Sequence, residues 1–108
     1  MAYYMCQVSY SQEAIKTLMK KPHDRTEVVR AATEKLGGKL LGFWYAFGKY
    51  DAVLIVEMPD NATAAALPLA AAAAGTISAS HTTVLLTPTE GVAALKKAAK
   101  SGYRPPSK

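Results

Sequence analysis

The sequence predicts an α+β sandwich of element order β-α-β-β-α-β with one added C-terminal helix, its four strands in a single antiparallel sheet. Three observations carry this. Residues 43–56 place two apolar, aromatic and β-branched runs on either side of a short Gly48-Lys49 break, the pattern of a strand, a tight turn and a second strand. Helical patterns flank that hairpin on both sides. Period-two runs near residues 3–10 and 76–86 supply the outer strands.

Strand one sets Tyr4, Cys6, Val8 and Tyr10 on one face and the more polar Tyr3, Met5, Gln7 and Ser9 on the other. Ser11 is placed to cap a helix from Gln12 with the stripe Ala14, Ile15 and Leu18, which Pro22 interrupts. Asp24-Arg25-Thr26-Glu27 restarts a helix, with Asp24 as N-cap and Glu27 reaching back from N3. Val28, Val29, Ala32 and Leu36 form its buried face, and Gly37-Gly38 ends it.

Strands two and three are expected at 39–47 and 50–58. The third is apolar on both sides, Ala52, Leu54 and Val56 against Val53 and Ile55, so both faces call for cover. Helices in this topology cover one. Asp60 caps an alanine-rich helix that stops at Gly75, with Pro68 expected to kink it or break it near residue 67. After strand four, Thr87-Pro88-Thr89-Glu90 carries a full capping signal for a last helix. Its apolar stripe is Val92, Leu95 and Ala99, and Lys96, Lys97 and Lys100 suit its negative end. This order is that of a ferredoxin-like sandwich.

A chain of 108 residues is one domain, read as 1–100 with a flexible basic tail at 101–108. The lone Cys6 has no internal disulfide partner, and the N-terminus lacks a signal-peptide pattern. Both point to a cytoplasmic protein. No uncharged apolar run reaches the roughly 18 residues of a membrane span. The net charge of +5 is uneven. Acidic and basic residues balance over 1–90, and Lys96, Lys97, Lys100, Arg104 and Lys108 carry the excess.

The frame Phe47-Gly48-Lys49-Tyr50-Asp51-Ala52-Val53 resembles the signature of the GYD domain family, a Gly-x-Tyr-Asp element between the second and third strands. Pro22 and Arg25, Gly37-Gly38, and a Pro59-Asp60 pair opening an alanine-rich helix are similar too, so the resemblance covers roughly residues 2–90. Pro68 and the basic extension after Glu90 depart from the pattern. The resemblance implies membership of the dimeric α/β-barrel superfamily, in which two ferredoxin-like subunits close their open sheet faces on each other. It implies no activity and no catalytic residues.

No catalytic motif rises above background. The catalytic candidates are His81, Tyr50 and Asp51: an imidazole titrating near neutrality, and a phenol and carboxylate beside a turn. Neighbours on a strand point to opposite faces, which keeps Tyr50 and Asp51 from entering one pocket by simple alternation. Arg25 is placed either to hold an anion or to pair with Glu27 or Asp51. His23 has no companions at metal-ligand spacing, so no metal is expected. Cys6 reads as a small core residue. No cofactor is expected.

The leading functional expectation is a homodimer or higher oligomer that binds a small molecule between sheet and helices or at the subunit interface. Tyr3, Met5, Phe43, Trp44 and Tyr45 would form the wall. Gln7, Ser78, Ser80 or His81 would make polar contacts. A cofactor-independent isomerase or oxygenase is the sharper form of that reading, by fold analogy alone. The alternatives are a non-catalytic structural or regulatory assembly module, and a weak nucleic-acid binder acting through the basic tail. Against the last, residues 52–58 carry no aromatic or basic residue to stack or clamp bases.

Overall fold

The computed structural model describes residues 1–106. Its elements are β1 (Ala2–Tyr10), α1 (Gln12–Lys20), α2 (Thr26–Lys35), β2 (Lys39–Tyr45), β3 (Ala52–Met58), α3 (Asn61–Ala73), β4 (Ile77–Leu85) and α4 (Pro88–Ala99). The strands form one sheet in the spatial order β2-β3-β1-β4, every neighbouring pair antiparallel. That is the expected ferredoxin-like α+β order.

Local chemistry sets the helix ends. Ser11 Oγ accepts from the Ala14 amide at 3.1 Å, and Asp60 Oδ1 from the Thr63 amide at 2.8 Å. At α4 the Glu90 amide donates to Thr87 Oγ1 at 3.1 Å while the Thr87 amide donates to Glu90 Oε1 at 2.9 Å. This satisfies two donors that a helix start otherwise leaves orphaned. Gly37 (φ 88°) and Gly75 (φ 76°) close α2 and α3 in the left-handed region that side chains with a Cβ avoid.

Four expectations are corrected. The N-cap of α2 is Arg25, not Asp24. Asp24 Oδ1 instead accepts from the Thr26 amide at 2.8 Å, and Glu27 pairs forward with Arg30 rather than back to the cap. Pro68 neither ends nor breaks α3, which runs through it. Alanines on both sides hold the helical conformation well enough to absorb the missing donor. Strands two and three stop short of the Gly-Lys break and leave a six-residue loop, 46–51, in place of a tight turn. Finally, Val28 is 50% exposed, and Thr33 takes the buried place on α2, its hydroxyl donating to Val29 O at 2.7 Å.

The core lies on one sheet face. Tyr4, Cys6 and Val8 of β1, the alternate residues Ala52, Leu54, Val56 and Met58 of β3, Leu40 and Ile77 are buried under Ala64, Val29, Leu36 and Leu67 of the helical layer. Burial alternates strictly along β3, so Val53 and Ile55 lie on the other face with Tyr3, Met5 and Gln7. None of those five belongs to the core cluster. The last helix, α4, packs on no other element to any substantial degree. Val92 is 50% and Leu95 71% exposed, and the molecule is elongated, 58 × 36 × 22 Å. Residues 101–106 form no helix or strand and are exposed; the end of the expected tail, Ser107 and Lys108, lies outside the described residues.

The Asp60 cap makes a testable pH dependence. Hydrogen bonds to Thr63 hold its carboxyl below the ordinary value of 3.8. A carboxylate with a lowered folded-state pKa stabilises the fold above its unfolded-state pKa, and that contribution fades as pH falls through the folded value. Acid titration of stability from pH 5 downward is therefore expected to be less steep in Asp60→Asn than in the parent chain. Identical acid limbs would exclude a contribution from this cap.

Candidate functional site

The Gly-Lys-Tyr-Asp segment lies in the β2–β3 loop and folds over the end of β1. Three bonds fix it: the Ala46 amide donates to Asp51 O at 2.8 Å, the Asp51 amide to Val8 O at 2.8 Å, and Ser9 Oγ to Lys49 O at 3.3 Å. Asp51 Oδ2 accepts from the Tyr10 amide at 2.9 Å. It does so where β1 shifts register against β4 between Ser9 and Tyr10, so the carboxylate serves a strand amide at an irregular step of the ladder. Asp51→Ala is expected to cost about 1–3 kcal/mol by leaving that part-buried donor unpaired, with Asp51→Asn losing less. Urea denaturation measures both.

Tyr50 points the other way. Its ring stacks on His81 across the open sheet face, with centroids 6.4 Å apart and planes at 29°, and Lys49 Nζ lies 5.8 Å from the Tyr50 ring centroid. Two of the catalytic candidates thus meet, and the third is turned away into backbone bonding. Gly48 has ordinary backbone geometry and nothing within 4 Å of where a Cβ would stand. Within one chain nothing requires glycine there. Phe47 beside it is fully exposed.

The residues expected to form a ligand wall are divided by the sheet. A bulge between Leu40 and Gly42 advances β2 by one residue, so Phe43 joins Leu54 on the helix side and Trp44 joins Val53 on the open side. Tyr3, Met5, Gln7, Trp44 and His81 share the open face, and Phe43 and Tyr45 the helix side. The Trp44 indole lies against Gly42, where a Cβ would stand 3.1 Å from its Cζ2. Ser78 serves the backbone, its hydroxyl 3.4 Å from both Ser9 O and Tyr10 O. Ser80 lies in a groove of about 400 Å³ between α3 and β4, with Thr82, Val84 and Leu69.

On the helix side α2 and α3 stand apart and open a cleft of about 260 Å³ down to the sheet. Val8, Phe43, Leu54 and Ile77 form its floor. Val28, Val29 and Ala32 of α2 face Leu67, Ala70, Ala71 and Ala74 of α3 as its walls. The polar lining groups, Tyr10, Arg25 and Thr76, come from the end of β1, the start of α2 and the start of β4. These meet at one end of the sandwich because α2 sets out from the side where β1 finishes. Edge-on packing of Phe43 against Tyr45, centroids 5.3 Å apart, leads from the floor to that end. Tyr45 Oη accepts from the Arg25 amide at 3.3 Å and lies 3.5 Å from His23 O.

Burial, followed by the nearby Tyr45, raises the Tyr10 pKa; Arg25 opposes this and Asp51 adds to it. Tyr10 therefore keeps its O–H as a donor. Burial also raises the Cys6 thiol, whose sulfur lies 3.7 Å from Thr82 Oγ1 and which is 4% exposed. That is the opposite of an activated nucleophile. The described residues contain no group of three or more His, Cys, Asp or Glu side chains disposed to hold a metal. Sequence period places Tyr10 on the core face; only its position at the strand's end, beside Arg25, marks it as a candidate.

A βαββαβ sandwich with one covered and one uncovered sheet face defines the class as ferredoxin-like. The chain belongs to the GYD domain family, whose model matches residues 4–95. No curated protein matches it. Among solved structures, the crystal structure of FFRP-DM1 is similar at 12% identity with a TM-score of 0.49, over 80% of this chain and 100% of that one. No helix among the described residues is long and apolar enough to cross a membrane.

Proposed function

We propose that this chain is a cytoplasmic, homo-oligomeric small-molecule-binding protein. The ligand occupies the cleft between α2 and α3, and a second copy covers the open sheet face. The observation that carries the first part is the cleft itself: an apolar trough of about 260 Å³ reaching the sheet, with its few polar groups gathered at one end. Its size falls just below the roughly 300 Å³ at which small-molecule sites begin, which favours a compact ligand. The second part rests on Tyr3, Met5, Val53, Ile55 and the 57%-exposed Trp44, which together make a largely apolar face without a helix over it.

Of the sequence candidates, Phe43 belongs to the cleft and Tyr45 to its rim. Tyr3, Met5, Gln7, Trp44 and the Tyr50–His81 pair fall to the subunit interface, where they would bound any ligand held between copies. A thermal-shift screen against a metabolite panel tests the reading, because a ligand that binds only the folded chain raises its melting temperature. A concentration-dependent rise supports binding; silence across the panel removes it.

The unpartnered stripe of α4 favours a second reading, a purely structural assembly module. Val92 and Leu95 are exposed along a capped, regular helix that stands away from the body. In that reading the contacts between copies are the whole function and the cleft holds nothing.

A further inference from the structure

The cleft has a chemical polarity that narrows its ligand. Arg25 lines its polar end, half-buried, and no carboxylate lies within ion-pairing distance of it; the one salt bridge among the described residues joins Arg30 to Glu27. Its backbone amide is engaged by Tyr45 Oη, which fixes the start of α2 while leaving the guanidinium unpaired. Tyr10 lines the same end, its phenol close enough to Arg25 for the guanidinium to act on it, and its hydroxyl has no hydrogen-bond partner within the described chain; Thr76 lines that end too. Asp51 is the nearby acid, and its Oδ2 is committed to the Tyr10 amide. His23 and Glu13 border the hollow on the far side of Arg25 and do not line the cleft. Beyond this end the lining is aliphatic or aromatic apart from the buried Cys6 thiol.

A guanidinium and a phenol at one end of an apolar trough present a planar fork of N–H donors and an O–H donor to one anionic group. Charged hydrogen bonds of this kind are about twice as strong as neutral ones. We propose that the cleft binds small apolar monocarboxylates, with the carboxylate on Arg25 and the Tyr10 hydroxyl and the hydrocarbon part between the walls of α2 and α3. The alanine walls suit such a ligand, since Ala70, Ala71 and Ala74 leave the width of a chain or a ring where larger side chains would close the trough. A phosphate ester of similar size would bring a second negative charge toward Asp51, which disfavours it beside a single guanidinium. The proposal rests on the reading that the cleft is the ligand site.

Calorimetric titration of the full chain with hexanoate, octanoate and phenylacetate, each beside its neutral amide, tests it. The acids are expected to bind at least about tenfold more tightly than the amides, the worth of one charged hydrogen bond. Arg25→Met should abolish that preference, while Arg25→Lys keeps part of it. Ala70→Trp, an exposed wall position whose indole fills the trough, should remove binding of acids and amides alike with the far-ultraviolet dichroism unchanged. Equal binding of acid and amide, or a preference that survives Arg25→Met, overturns the carboxylate assignment and leaves the cleft as a site for neutral ligands. Binding that survives Ala70→Trp, or no binding by any of the six compounds, overturns the cleft itself.

Discussion

Gly38→Val is expected to leave the chain largely unfolded, and Gly38→Ala to cost about 3 kcal/mol, near the upper end for overpacking a core. A Cβ at this position would stand 2.6 Å from Glu57 O and closer still to Met58 Sδ. The oxygen is strand backbone that cannot withdraw without disturbing the β2–β3 ladder, and Met58 is fully buried with no room to swing away. Gly38 follows the left-handed Gly37, so the chain turns out of α2 and passes directly against β3. The loss is a large part of the roughly 5–15 kcal/mol that holds a domain together. Chemical denaturation reads it, with Gly48→Ala as the control. Gly48 has open space around it, and its replacement should shift stability by no more than about 0.5 kcal/mol. A Gly38→Ala protein as stable as the parent would mean that β2 does not approach β3 in this way.

Ile55→Asp is expected to dissociate the proposed oligomer at micromolar concentration while the single chain stays folded. Ile55 lies on the open face between Met5 and Gly42 and outside the core cluster, so a carboxylate there remains hydrated in the lone chain. Under a second copy the same carboxylate would be buried without a partner, at a cost of about 3–5 kcal/mol. Two-fold symmetry applies that cost twice. Leu54→Asp, one residue away on the core face, should instead destroy the fold, because Leu54 is 5% exposed. The contrast separates an interface from an interior: soluble monomer in one case, no folded protein in the other.

The fold was legible because its signals are local. Ser11, Asp60 and the Thr87–Glu90 pair are caps whose partners lie three residues away, and Gly37 and Gly75 end helices through their own φ. Alternation along β3 gave both of its faces correctly. The site was less legible because it depends on two irregularities that sequence period does not announce. Alternation splits the strand-two aromatics between the two faces, but only the bulge after Leu40 decides that Phe43 and not Trp44 looks toward the helices. The register shift at Ser9–Tyr10 draws in both Asp51 and Ser78, turning two apparent functional polar groups into backbone partners. Arg25 was visible as an anion-binding candidate, but its lack of a carboxylate partner depends on which residues converge at one end of the sandwich.

Sedimentation velocity of the unaltered chain across the micromolar range addresses most directly the claim that a second copy shields the open face. The account predicts a species at twice the 11.5 kDa chain mass or a higher multiple, persisting on dilution. A single folded chain of 11.5 kDa at every concentration would contradict it.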